Sequence, residues 1–337
     1  MKRVVICSDG TWSTPDQRAP TNVARLARAV LPTAPDGVVQ VVLYDEGVGT
    51  GGWVDRLVGG ATGKGIEKNV GDGYRFLVHN YEPGDEIFLF GYSRGAYTAR
   101  SLAGFVRNCG VLRKSEADRF REAYRLYRRR DAAPSSEEAA AFRARRSREA
   151  DIAFIGVWDT VGALGIPLRG LARLTAARHQ FHDVELSRCV RRACHALAVD
   201  ERRAAFKPSL WKAKPKPGQT VEQAWFPGAH ADVGGGYADR SLADGAFLWM
   251  VDRASESGLA FDMARLREEA RPCSTGALHD SRRGPFRLLP SRRRCIGGDA
   301  TQSAHSSARD RFESVPAYAP ENLAQYLRSP GARICGE

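Results

Sequence analysis

The sequence predicts an α/β fold: a mostly parallel central sheet flanked by helices, with one helical insertion. Three observations predict it. Short runs of five to seven residues, apolar on both faces, recur along the 337-residue chain, as the central strands of a parallel sheet require. The segments between them carry apolar residues at helical spacing. Strand and helix alternate, which favours right-handed crossovers between parallel strands.

The first strand is read at 3–7 (RVVIC), followed by Thr21-Asn22 as a cap for a helix with Val23, Leu26, Ala27, Val30 and Leu31 on one face. A second strand at 39–44 (VQVVLY) leads to residues 64–81, where Ile66, Val70, Tyr74, Leu77, Val78 and Tyr81 fall at helical spacing. Strand 86–90 (EIFLF) runs into a helix beginning near "AYTARSLAGFVRN". Residues 113–148 break the rhythm as a basic helical insertion, a possible cap, with Pro134 and Ser135 separating two helical halves. Strands follow at 152–158 (IAFIGVW) and 221–226 (VEQAWF), and His195, in "ACHALAVDERR" between them, is expected to follow a helix into a further strand. From residue 262 to 337 the pattern is irregular, and the whole of 1–337 is expected to form one domain.

Composition narrows the function. With 43% hydrophobic and 27% charged residues the chain can bury a sizeable core. Its opening "MKRVVICSDGTW" has too short an apolar run for a signal peptide, and no stretch approaches a membrane span, so a cytoplasmic location is expected. Seven scattered cysteines without a CxxC pair support neither zinc nor a disulfide framework and read as reduced thiols. The net charge of +12 comes from two segments, 113–148 and 281–295, each contributing +6. Such patches attract anionic lipid surfaces or an acidic carrier protein, although arginine on solvated faces would look the same.

The chemistry points to "FLFGYSRGAYTAR", residues 88–100. Gly91-Tyr92-Ser93-Arg94-Gly95 sits between strand and helix, the context of a G-x-S-x-G nucleophile elbow. Glycines two residues either side of the serine relieve crowding, the turn lifts the hydroxyl above the sheet, and the helix aims its first N–H groups at nearby negative charge. A serine hydroxyl needs a histidine base that is itself oriented by a carboxylate. On an α/β-hydrolase sheet the chain order is serine, acid, histidine. Asp159, just past strand 152–158, and His230, just past strand 221–226, meet that order, and Gly234, Gly235 and Gly236 let backbone approach closely. Asp200 is the reserve acid. His79, His179 and His182 read as helix or loop residues, His195 as a residue packing near the site, and His279 and His305 as residues of the irregular tail. For the oxyanion, one N–H is expected from Arg94 and another from Gly10 or Thr11 after the first strand, unless Asp9 makes this a structural turn.

Other chemistries fit less well. "GGATGKG", 59–65, fails the Walker A pattern at two positions. His230 and Asp232 could share a metal, but no third ligand cluster accompanies them. No cofactor is therefore expected. Nothing resembles a nucleic-acid motif, and the aromatics do not interleave with the arginine runs. What stays open is a carboxylic ester or lipid ester hydrolase, a thioesterase or acyltransferase fed by an acidic carrier, or an inert binding protein using its basic segments. Oligomeric state is not legible.

The motifs "SDGTW", "YDEGVGTGG", "GYSRGAYTAR", "GVWDTVGALG", "ALAVDERR" and "WFPGAHADVGGGY" occur in an order that resembles the DUF2235 family, whose members include the Tle1-like phospholipase effectors of the type VI secretion system. The likeness covers roughly residues 3–255. It implies an α/β-hydrolase catalytic domain with the nucleophile on Ser93, the acid on Asp159 and the base on His230. The secreted effectors are usually larger and carry membrane-associating segments, so the resemblance implies acyl-ester hydrolysis more directly than a phospholipid substrate.

Overall fold

A computed structural model describes residues 1–10, 17–47, 64–129, 131–161, 186–212, 215–288 and 290–336. In chain order, its first elements are β1 (Lys2–Ser8), α1 (Asn22–Ala29), β2 (Val39–Asp45), α2 (Lys64–Asn80), β3 (Glu86–Tyr92) and α3 (Arg94–Cys109). The insertion follows as β4 (Val111–Leu112), α4 (Phe120–Arg128), α5 (Glu137–Arg146) and β5 (Ser147–Arg148). Then come β6 (Ile152–Trp158), β7 (Val190–Ala198), β8 (Thr220–Phe226), α6 (His230–Gly234), α7 (Ser241–Glu256) and α8 (Met263–Glu269). The chain finishes with β9 (Gln302–His305), α9 (Ser306–Ser314), α10 (Glu321–Leu327) and β10 (Ile334–Cys335).

Eight strands form one sheet in the order β10-β9-β8-β7-β6-β3-β1-β2, every pairing parallel. This is the α/β-hydrolase-like sheet flanked by helices that the sequence predicts. The five strands expected from apolar runs are all present. The order reverses beside β1, where the chain passes to β2 on one side and returns to β3 on the other. In open parallel sheets a crevice for ligands lies outside the strand ends at such a reversal. Ser93 stands there, at the carboxyl end of β3.

Period-2 alternation divides the strand residues between two cores. Val4, Ile6, Ile87, Leu89, Ile155 and Val157 face α2 and α3, meeting Tyr74, Leu77, Leu102 and Phe105. Val5, Cys7, Phe88, Phe90, Phe154 and Trp158 face the other way, toward Val23, Leu26, Phe247 and Met250. Thr21 caps α1 by accepting from Ala24 N at 3.2 Å.

Two regions bear on the expectation. His195 lies well inside strand β7, as the expected further strand, and although "VRRACHALA" is rich in alanine, a helix former by local propensity, it is held between β6 and β8; the expected preceding helix falls partly outside the described residues. The tail after 262 is more ordered than its sequence suggests: β9 and β10 extend the sheet, while Tyr318, Leu323 and Tyr326 pack with Leu197 and Trp225 in a third core. The insertion is helical on both sides of Pro134, with Ser136 capping α5. Phe120, Tyr124 and Tyr127 of α4 pack around Phe105 of α3. Much of its positive charge is paired locally, as in Arg128–Glu67, Arg129–Glu138, Arg143–Glu149 and Arg146–Glu116. Among the described residues no helix is long and apolar enough to cross a membrane.

A buried ion pair ties α1 to α7: Arg25 Nη1 lies 2.6 Å from an Asp244 oxygen, both side chains 3% exposed. Burial pulls the Arg25 guanidinium below its ordinary value against the opposing pull of Asp244. Removing one partner strands the other in the core. Asp244→Ala is expected to lower stability by about 3–5 kcal/mol, read as a fall in the urea midpoint with unchanged slope.

Candidate active site

The geometry at Ser93 follows from its neighbours. At the joint between β3 and α3 its backbone takes φ 57° and ψ −115°, and its N–H donates to Trp158 O at 3.0 Å. The flanking glycines are a steric demand. A Cβ on Gly95 would stand 2.0 Å from Ser8 O and 2.5 Å from Asp9 O, and one on Gly91 would stand 2.4 Å from Gly95 O. Helix α3 can therefore begin hard against the end of β1 only where no side chain intervenes.

Asp159 caps the next strand along. It follows Trp158 at the end of β6, with φ 41° and no exposed surface. Its Oδ2 lies 2.5 Å from His230 Nδ1, and its Oδ1 accepts from Ala198 N at 3.0 Å. Arg294 completes the set, with Nη1 donating to Oδ1 at 2.5 Å and Nη2 to Oδ2 at 2.9 Å. Burial pushes the Asp159 carboxyl up, but Arg294 and His230 outweigh it and hold the group well below the usual carboxylate range.

His230 opens α6, 6% exposed, between two aromatic rings. Tyr92 lies beside it with ring centroids 4.8 Å apart, and Phe206 meets it edge-on at 5.0 Å. Tyr92 Oη donates to His230 O at 3.3 Å, so the residue before Ser93 touches the residue that pairs with Asp159. Gly234 makes this approach possible: a Cβ there would fall 1.9 Å from the Tyr92 ring.

The sequence expectations for the oxyanion loop need one correction. The backbone N–H of Arg94 belongs to the first turn of α3. Gly10, the other expected donor, turns its N–H onto Asp9 Oδ1 at 2.5 Å. Asp9 also accepts from Thr21 Oγ1 at 2.5 Å and Tyr44 Oη at 2.6 Å, which makes it the structural turn acid of the alternative reading. Thr11 lies outside the described residues, as do residues 59–63 of "GGATGKG" and His179 and His182.

The remaining candidates have other partners. Asp200 accepts from Gly228 N at 2.7 Å and Tyr318 Oη at 2.8 Å. Asp232 pairs with His279 Nδ1 at 2.6 Å and accepts from Ala229 N at 2.9 Å, so its carboxylate bonds His279 and not His230. His195 Nε2 accepts from Thr160 N at 3.1 Å, and burial, with Arg100 nearby, pushes its imidazole down to about 3. It is a neutral strut under the Asp159–Thr160 turn. His305 accepts from Ser307 N at the start of α9, and His79 lies in the last turn of α2. Arg294 was missed by sequence reasoning, since "SRRRC" gives no local sign that its third arginine turns inward.

A parallel α/β sheet with a serine on a tight strand-to-helix turn, beside a buried aspartate–histidine pair, defines the chain as α/β-hydrolase-like. Residues 2–253 match the family described as T6SS phospholipase effector Tle1-like, catalytic domain. The chain belongs to that family. A curated relative, an uncharacterized protein of Saccharomyces cerevisiae, is 30% identical over 237 residues, covering 64% of this chain but 33% of its own length. Among solved structures, an uncharacterized protein from Pseudomonas aeruginosa is similar with TM-score 0.46 and 19% identity, over 81% of this chain and 49% of that one. The Tle1 effector bound to the VgrG spike gives TM-score 0.37 and 20% identity, over 70% and 51% of the two chains. A metagenomic carboxyl esterase gives 0.35 and 13%, over 77% and 76%.

Because a methyl at Gly95 would overlap two backbone oxygens that cannot swing aside, Gly95→Ala is expected to cost about 1–3 kcal/mol. Chemical denaturation of the purified variant checks this.

Proposed function

We propose that the protein is a serine ester hydrolase working through an acyl-enzyme on Ser93. One observation carries this reading: among the described residues, Ser93 and Asp159 are the two non-glycine residues at positive φ. Such backbone strain persists where the surroundings enforce it, and it concentrates at functional sites. Here it falls on the nucleophile and the acid expected from sequence, on neighbouring strands of one sheet edge.

In the proposed reaction His230 takes the Ser93 hydroxyl proton as Oγ attacks the acyl carbon, while Asp159 holds the Nδ1–H and balances the imidazolium. The Arg94 N–H at the start of α3 faces the developing oxyanion. Collapse expels the alcohol with the proton from His230. A water, deprotonated by the same ring, then attacks the acyl-serine and frees the acid.

The surroundings support an acyl ester bearing an anionic group. A cleft of about 140 Å³ has Arg294 and Phe206 in its lining, with Pro208 and Leu210 as further apolar wall and Lys207 and Arg292 as cations beside the Glu201–Arg203 pair. Phe206 is the residue that meets the His230 ring. Membership of a phospholipase effector family supports a lipid ester, whose apolar chain and phosphate match such a lining in kind.

Ser93→Ala is expected to lower hydrolysis of p-nitrophenyl butyrate by at least about 1,000-fold and to abolish labelling by a fluorophosphonate probe, with the fold retained by circular dichroism. Undiminished labelling of that variant would assign the nucleophile elsewhere.

A further inference from the structure

The matched catalytic domain ends at residue 253, yet contacts from beyond it converge on the aspartate–histidine pair. Ser281 Oγ donates to Glu201 Oε1 at 3.0 Å, and Glu201 in turn accepts from His230 N at 3.4 Å. His279 holds Asp232, two residues past His230. Arg294 reaches the reacting centre most directly. Besides its two bonds to Asp159, it donates to Ala198 O at 2.9 Å and to Phe206 O at 2.7 Å, with its side chain 3% exposed. It thus joins the acid, the end of β7 and the residue that packs on the His230 ring.

We propose that Arg294 is a positioning residue of the site: the C-terminal segment supplies through it the cation that keeps Asp159 ionised and in one orientation toward His230. The inference rests on the Ser93–Asp159–His230 reading given above. The charge inventory around the carboxylate supports it. Tyr92, from β3, has a phenol that burial raises well above its ordinary range, so it is neutral. His195, from β7, is neutral as well. Glu201 and Arg203, from the segment after β7, pair with each other at 2.8 Å. Arg100, from α3, donates to Ser209 O and stacks over Trp211. Arg294 is left as the permanent cation in contact with Asp159, and its planar fork meets both oxygens, which a lysine cannot do. Without it, burial would dominate and drive the carboxyl upward.

The test uses the full chain with Arg294→Gln and Arg294→Lys, p-nitrophenyl butyrate as substrate, and kcat/KM from pH 5 to 9. For Arg294→Gln the acid limb is expected to move to higher pH by about one unit or more, because the pair then takes up a proton more readily. Arg294→Lys keeps the charge and is expected to keep the wild-type limb with a lower plateau. Added guanidinium at millimolar concentration is expected to restore Arg294→Gln toward the wild-type profile. A second readout does not depend on activity. The stability gap between wild type and Arg294→Gln in urea is expected to widen from pH 4 to pH 8, since an unpaired buried carboxylate costs most when ionised. A uniformly lowered profile of unchanged shape, or a gap independent of pH, would overturn the role of Arg294 and leave the triad standing. Ester hydrolysis surviving in Ser93→Ala would instead overturn the triad, whatever the urea curves show. Should Arg294→Gln fail to fold, a shifted acid limb in Arg294→Lys would overturn the inference and an unshifted one would support it.

Discussion

A carboxylate with no exposed surface has to be answered in full by its surroundings, and the arrangement around Asp159 is that answer. A backbone N–H from β7, an imidazole from α6 and a guanidinium from the C-terminal segment meet on two oxygen atoms. Each comes from a different part of the chain, so the sheet must bring β6, β7 and β8 into parallel register before the charge can be buried at acceptable cost. Removal of any one partner would leave a desolvated charge short of partners. The positive φ at Asp159 is held by these same contacts, with Asp159 N donating to Ala196 O at 2.8 Å.

The same economy governs the approach of the serine. Close packing of α3 against the end of β1, and of α6 against Tyr92, leaves no room for a Cβ at Gly95 or Gly234. The first is a contact with backbone and the second with an aromatic ring, and both lie at the sheet reversal beside β1, which opens the crevice where Ser93 stands. The cleft lined by Phe206 and Arg294 takes its walls from segments outside the strands. Family resemblance in the core therefore fixes less about the substrate than about the reaction.

Much of this was legible in the sequence. Strands apolar on both faces announced themselves, as did the turn at Gly91–Gly95, because each signal is local and has one structural solution. Strand β7 was legible only as a strand without clear bounds, because its alanine and arginine favour helix locally and burial between two neighbours overrides that preference. Strands β9 and β10 are too short to carry a pattern. Arg294 lies in a run of three arginines, of which one is buried and two are exposed, and only a partner far away in sequence distinguishes them. Gly10 was read as an oxyanion donor from its place after β1, but Asp9 beside it captures that N–H. The placement of Asp159 and His230 rested on chain order, a constraint of topology that spacing alone reflects.

The position of Arg294 also orders events in time. On the ribosome, β1 through β8, with both Asp159 and His230, emerge before the arginine that balances the acid. Until it arrives, the carboxylate of Asp159 lacks the counter-ion it has in the folded chain. Docking of the tail, with β9 against β8 and Arg294 into the space beneath Phe206, is the step that neutralises it. A segment made after β8 thus completes a site whose other components were laid down before it.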